Sequence, residues 1–124
     1  MSVSRKRAWA NVEQLMQRPR RQIRVVLRRG KRGVTLLHDG KTLTRCYATK
    51  TGQACAKLVA EALGVQMPPV GAEVEATIPN GVLFRVVSLS GLDLRVPGTE
   101  LIAERLLEEA AFQRERAAAV SADS

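Results

Sequence analysis

The first half of the chain alternates apolar and polar positions with a two-residue period. Ile23, Val25 and Leu27 fall on one side of the chain, and Arg24 and Arg28 fall on the other. This period is typical of a strand that is buried on one side. Similar or continuously apolar runs recur further along. Strands are predicted at residues 22–29, 34–38, 41–47, 73–78, 82–89 and 92–96.

Glycine-containing turns separate these runs. Asp39-Gly40 and Asn80-Gly81 are dipeptides that favour two-residue hairpin turns, because both positions of a type I′ turn need a positive φ. A third turn is predicted at residues 30–33, between the first two strands.

Three segments carry helical spacing. The segment 4–18 repeats apolar residues every three to four positions, with Ser4 as N-cap and Pro19 as the stop. The segment 51–63 has a broad apolar stripe and ends before Gly64, a typical residue after a helix. The third helix is predicted from residue 99 to about residue 118.

The predicted fold class is α+β, with an N-terminal helix followed by two βββα units and an antiparallel sheet packed on helices. We expect a single compact domain over residues 1–118, with a frayed tail at 119–124. Within it, residues 22–64 form a basic βββα unit and residues 72–118 a βββα unit with an acidic last helix. The shared order of elements raises the hypothesis of an internal duplication.

Charge is distributed unevenly along the chain. Residues 1–64 hold fifteen Lys and Arg and three acidic residues, whereas residues 65–124 hold five basic and nine acidic residues. Clustered arginine is typical of a surface that binds phosphate, because the guanidinium group matches phosphate oxygens. The sequence therefore predicts a nucleic-acid-binding protein that contacts the phosphate backbone. The predicted contacts are Arg5, Lys6, Arg7, Arg18, Arg20, Arg21, Arg24, Arg28, Arg29, Lys31, Arg32, Lys41 and Arg45.

Aromatic residues are scarce near this cluster. Trp9 lies in the apolar stripe of its helix and is expected in the core, whereas Tyr47 is equally compatible with either environment. Proteins that bind single strands usually stack bases on exposed aromatic rings. The scarcity of aromatic residues favours a duplex or structured RNA over a single strand, and the choice between DNA and RNA stays open.

Two short resemblances accompany this interpretation. Residues 4–64 resemble the double-stranded-RNA-binding domain in element order and in the segment 49–57, which implies binding of an RNA duplex. The lysine run of that family is missing here, since only Lys50 and Lys57 are present. Residues 75–86 resemble a hairpin of bacterial translation initiation factor one. Neither resemblance assigns a family.

No enzymatic motif stands out, and a non-enzymatic function is expected. His38 is the single histidine and lies beside a turn, while Cys46 and Cys55 lack the spacing of a redox or zinc motif. No P-loop or nucleophile-elbow pattern occurs. We therefore predict no cofactor or metal. The absence of a signal peptide and of a long apolar run predicts a cytoplasmic protein with no membrane partner.

Other functions remain open. The protein is alternatively a small adaptor or inhibitor, of phage or mobile-element type, that docks on an acidic surface of a nucleic-acid-processing protein complex. The acidic C-terminal helix is then a second contact surface or the seam of a homo-oligomer. A third hypothesis is a structural subunit whose basic half is buried against its own or a partner's acidic helix.

Overall fold

The computed structural model describes residues 4–17 and 22–122. It contains four helices and four strands within those ranges. The helices are α1 (Arg5–Met16), α2 (Lys50–Leu63), α3 (Asn80–Ser90) and α4 (Thr99–Ala122). The strands are β1 (Gln22–Gly30), β2 (Gly33–His38), β3 (Lys41–Tyr47) and β4 (Glu73–Pro79).

The four strands form one antiparallel sheet in the order β3-β2-β1-β4. Two successive hairpins join β1, β2 and β3, whereas β4 pairs with β1 after the chain has passed through α2. In the register, Arg28 of β1 lies between Thr35 of β2 and Glu73 of β4. Arg45 of β3 lies opposite Thr35, so these four residues form one row across the sheet.

The sheet buries one of its two faces. Ile23, Val25 and Leu27 are buried with Val34 and Leu36, as the alternating pattern predicts. Val12 and Leu15 of α1 and the apolar stripes of the other helices complete this core. The opposite face presents polar and charged side chains in the described residues, and we call it the open face: Arg24, Arg28, Thr35, Arg45, Glu73, Glu75 and Thr77. Val26 and Leu37 lie half-buried among them.

The first helix runs along the edge of the sheet. The Asn11 side-chain amide donates to the Thr42 carbonyl of β3 at 3.0 Å, and α1 packs mainly against β3 and α3. An edge strand exposes unpaired backbone groups, so this contact covers part of the β3 edge. It also places the basic N-terminal turn of α1 beside the sheet.

The α+β class, the N-terminal helix and the antiparallel sheet packed on helices are confirmed. The second βββα unit is wrong. Residues 82–89, predicted as a central strand, belong to α3, and residues 92–96, predicted as a strand, form turns. Val82, Leu83, Val86 and Leu89 are all buried at helical spacing. A short, continuously apolar run is compatible with a buried strand or a buried helix, and here the helix forms.

The duplication hypothesis loses its structural basis with that correction, because the second half is β4-α3-α4. The segment 75–86 is likewise a strand followed by a helix rather than a hairpin, so its resemblance to the initiation factor is not supported. The last helix continues to Ala122, beyond its predicted end near residue 118.

Candidate nucleic-acid interface

The tip of the β1–β2 hairpin presents two adjacent cations. Lys31 and Arg32 are exposed between Gly30 and Gly33. Gly33 has φ of 137°, and a Cβ there would lie 2.1 Å from the Cys46 carbonyl oxygen, so this position requires glycine. The tight approach brings the end of β3 against the hairpin tip.

Further cations lie on the open face. Arg24, Arg28 and Arg45 point away from the core and are exposed. The Arg45 Nε donates to the Thr35 hydroxyl at 3.3 Å, a neutral partner that leaves its charge uncompensated. The Arg28 Nε donates to Glu73 at 3.1 Å, so one cation of this face is paired with a carboxylate.

The N-terminal turn of α1 adds three exposed cations, Arg5, Lys6 and Arg7. Ser4 caps the helix by accepting from the Arg7 backbone N–H at 3.3 Å, and no acidic residue occupies the first turn. Cations at this end oppose the helix dipole, at a cost of about 0.3–1 kcal/mol each when exposed. The helix therefore tolerates an electrostatic cost that acidic residues in these positions would avoid.

Two predicted contacts lie away from this grouping. Arg29 is half-buried, and its Nη1 donates to the Pro68 carbonyl at 3.2 Å. Its backbone also bonds to Gly71 and Ala72, so Arg29 anchors the segment before β4. Lys41 is exposed at the β2–β3 turn, at the opposite end of β2 from the basic tip, roughly 17–20 Å away for a strand of this length.

Three predicted contacts, Arg18, Arg20 and Arg21, lie outside the described residues. The structure adds two exposed lysines on α2 that were not among the predicted contacts, Lys50 and Lys57. Lys50 begins α2 directly after β3, and so extends the basic surface next to Tyr47 and Arg45.

Internal ion pairing leaves most of these cations free. Of the Lys and Arg described in residues 4–64, Arg28 is the one that forms an ion pair with a described carboxylate. In α4, Glu109 pairs with Arg85 of α3 at 3.0 Å. Helix α4 packs mainly on α2, α3 and β4, so it covers part of the basic half at α2. The exposed cations of the hairpin tip and of the open face do not pair with any described carboxylate of α4.

A groove opens between α1, β3, the start of α2 and the end of α3. Its volume is about 530 Å³, and its lining includes Arg5, Trp9, Arg45 and Tyr47. Trp9 is 43% exposed and Tyr47 is 56% exposed, so the expectation of a core Trp9 is wrong. Helix α1 buries only a narrow side, with Val12 and Leu15. Trp9 lies at the edge of that side and stays partly exposed. We call this feature the Trp9–Tyr47 groove.

Two cysteines are among the residues that line the groove. Cys46 and Cys55 are both free and buried. Burial, with a smaller contribution from Cys55, raises the pKa of the Cys46 thiol from 9.0 to about 12. Burial and then the charge of Asp93 raise the pKa of Cys55, whose Sγ donates to the Leu92 carbonyl at 3.2 Å. Neutral buried thiols are poor nucleophiles and metal ligands.

The single histidine lies at the β2–β3 turn. His38 Nδ1 lies 2.8 Å from the Arg24 carbonyl and its Nε2 lies 3.5 Å from Asp39, so the ring braces the β2–β3 turn. No group of three or more His, Cys, Asp or Glu residues in residues 4–17 and 22–122 is placed to hold a metal ion. None of the described helices combines the length and apolarity that a membrane crossing needs.

Comparisons of the chain with protein-family models, curated proteins and solved structures returned no match.

Proposed function

We propose that this protein binds nucleic acid, without catalysing a reaction, through phosphate contacts made by its basic half. The observation that carries the proposal is the free state of its cations. Arg24, Lys31, Arg32 and Arg45 are exposed, and none has a carboxylate partner in the described structure.

Free surface cations suit a polyanionic partner. Phosphates condense counterions, and each phosphate that a Lys or Arg neutralises releases them with a gain in entropy. A cation that already pairs with a carboxylate has to break that pair before it contributes. The unpaired arginines also retain their planar donor groups for phosphate oxygens.

The arrangement favours contacts to the backbone of a duplex or of structured RNA. Lys31 and Arg32 project from a glycine-flanked tip that approaches a groove or a backbone with little bulk. Arg45 lies on the open face near the tip, and Arg24 lies on the same face toward the other end of β1, so a phosphate chain that runs along the sheet meets several cations in turn. Such contacts position a nucleic acid without reading its sequence.

The test is direct binding. Nuclease-treated protein is titrated into fluorescently labelled duplex DNA, single-stranded DNA and a structured RNA at low salt, and fluorescence anisotropy is recorded. We expect saturable binding to at least one of them that weakens steeply with added salt. The absence of binding to all three at low salt contradicts the proposal.

A second candidate function is that of an adaptor that docks on a protein complex. The observation in its favour is a pair of exposed apolar side chains on α4, Leu101 at 67% and Phe112 at 62% exposure. They lie eleven residues apart, or three helical turns, and so share one side of the helix. Recovery of a stable protein partner after nuclease treatment, lost with Leu101→Ser and Phe112→Ser, favours this function; a nucleic acid as the sole recovered partner argues against it.

A further inference from the structure

Exposed aromatic residues and arginines without a described carboxylate partner occur together at the Trp9–Tyr47 groove. Its lining residues include Trp9 and Tyr47, which are exposed aromatic residues, and Arg5 and Arg45, which are exposed cations. Its volume of about 530 Å³ falls within the range of small-ligand sites, which is roughly 300–1,000 Å³.

The charged residues that line the groove are cations among the described residues, and the nearby Asp93, whose charge reaches Cys55, is paired with Arg95. No carboxylate lines the groove among the described residues, and neither Arg5 nor Arg45 pairs with a described acidic residue. The first turn of α2, which supplies Thr49, Thr51 and Gly52 to the lining, adds the positive end of a helix dipole. An anionic ligand is therefore favoured over a neutral or cationic one.

The aromatic rings further restrict the class of anionic ligand. A phosphate alone uses the cations and leaves Trp9 and Tyr47 in water, whereas a nucleotide uses both, because its base stacks on an aromatic ring. Stacking requires a base that is not already paired and stacked inside a duplex. The Ser90 hydroxyl donates to the Val87 carbonyl at 2.7 Å and accepts from Thr44 at 2.6 Å, so these two lining residues offer hydroxyl oxygens as acceptors for the edge of a base.

Arg45 connects the groove with the basic surface described above. It lies on the open face opposite Thr35 and in the same row as Arg28, and it also lines the groove. A strand whose phosphates follow the open face thus reaches the groove without leaving the positive surface.

We infer that the Trp9–Tyr47 groove binds an unpaired nucleotide of a nucleic acid strand, with its base stacked on Trp9 or Tyr47 and its phosphate held by Arg5 and Arg45. The inference rests on the proposed function and deepens it. The protein recognises a backbone through its basic surface and an unpaired base beside it, as at a loop, bulge or end of a structured nucleic acid. It also adds base stacking to the phosphate contacts that the scarcity of aromatic residues favours.

The single tryptophan makes the test direct. Trp9 is the one Trp of the chain, so quenching of tryptophan emission reports on the groove itself. The probes are an unstructured single strand of about 12 nucleotides, a blunt duplex of the same length, thymidine monophosphate and inorganic phosphate. We expect saturable quenching by the single strand, weak or no quenching by the duplex, and none by phosphate.

A matched pair of variants separates stacking from general damage. Tyr47→Leu removes one ring of the groove, and Phe112→Leu removes an equally exposed ring on α4. Tyr47→Leu is expected to weaken single-strand binding roughly 5- to 100-fold, the loss of one stacked base, and to change duplex binding less than about 2-fold. Phe112→Leu should leave both affinities unchanged.

The outcomes distinguish this inference from the proposed function. If the duplex binds while the single strand leaves Trp9 unquenched, or if Tyr47→Leu binds single strands like the wild type, the inference fails and the proposed function stands. If thymidine monophosphate binds as tightly as the single strand, the groove serves a free nucleotide and the strand assignment is wrong. If no nucleic acid binds at low salt, both fail.

Discussion

The two halves of the molecule carry opposite charge and place it differently. In the basic half, cations such as Arg24, Lys31 and Arg45 project from the sheet without carboxylate partners. In the acidic half, Arg85 joins α3 to Glu109 of α4, and Arg95 pairs with Asp93 in the connecting turn. Arg85 is thus used inside the fold in the second half, whereas Arg24 and Arg45 of the first half have no described carboxylate partner.

The difference between paired and unpaired cations is more informative than the net charge. A cation that bridges two helices contributes to stability. Its charge and hydrogen-bond donors are then already engaged and are less available to a ligand. A cation on an open sheet contributes almost nothing to stability, because exposed charges are well solvated. We therefore expect substitution of the free cations in the basic half to change binding and leave stability unchanged, and substitution of the helix-bridging Arg85 to do the reverse.

The largest effect is expected from reversing the charge at the hairpin tip. Lys31→Glu with Arg32→Glu removes two phosphate contacts and adds repulsion, so affinity for duplex DNA should fall on the order of 100- to 1000-fold near 0.1 M salt. Anisotropy titrations measure it. The matched control, Arg105→Glu with Arg116→Glu, changes two exposed arginines of α4 and should leave binding within about 3-fold. Equal losses in the two variants would show that only net charge matters.

A second effect concerns the backbone that supports the tip. Gly33→Ala forces a side chain into φ of 137° and against the Cys46 carbonyl, and should lower the free energy of unfolding by about 2–3 kcal/mol. Gly40→Ala, at the other hairpin, has φ of 76° and open space around its Cβ, and should cost about 1 kcal/mol. Urea denaturation measures both. Similar losses at the two turns would contradict the described packing at the tip.

A third pair compares one arginine from each half. Arg85→Gln breaks the 3.0 Å bond to Glu109 and the 3.2 Å bond to the Gly81 carbonyl, and should cost about 1 kcal/mol of stability with binding unchanged. Arg24→Gln should leave stability within about 0.5 kcal/mol and weaken DNA binding roughly 10-fold. A stability loss for Arg24→Gln equal to that of Arg85→Gln would remove the distinction between the halves.

The smallest effect concerns the buried thiol under the basic half. Because the folded protein raises the pKa of Cys46 from 9.0 to about 12, the contribution of Cys46 to stability is fully present below pH 9. It is lost as the pH rises from 9 towards 12. Urea midpoints across this range should fall more steeply for the wild type than for Cys46→Ala. Parallel curves would mean that water reaches this thiol in the folded state.

The sequence pattern predicts the basic half well and the acidic half poorly. In the first half, the strands alternate apolar and polar residues, so the pattern specifies both the element and its buried side. In residues 82–89 the run is apolar throughout, and no period distinguishes strand from helix. The two turn dipeptides have similar sequences and different structures. Asp39-Gly40 joins two strands, whereas Asn80-Gly81 begins α3 after the extended Pro79.

The candidate site was predictable only in part. The alternation in residues 22–29 places Arg24 and Arg28 outward, and it also places Arg29 inward, where it bonds to Pro68. The exposure of Trp9 depends on how wide a seam α1 buries, which is set by its packing on β3 and α3 rather than by its own sequence. The groove is lined by residues from four elements, so no local sequence pattern predicts it.

The most direct test of the central claim is the salt dependence of duplex binding by the wild-type protein. If about four to six free cations contact phosphates, log K should fall linearly with log salt concentration, with a slope between about −3.5 and −5.5. The slope should become shallower by about one to two in Lys31→Gln with Arg32→Gln, and stay unchanged in Arg105→Gln with Arg116→Gln. A slope near zero, or the same slope in all three proteins, would contradict the account.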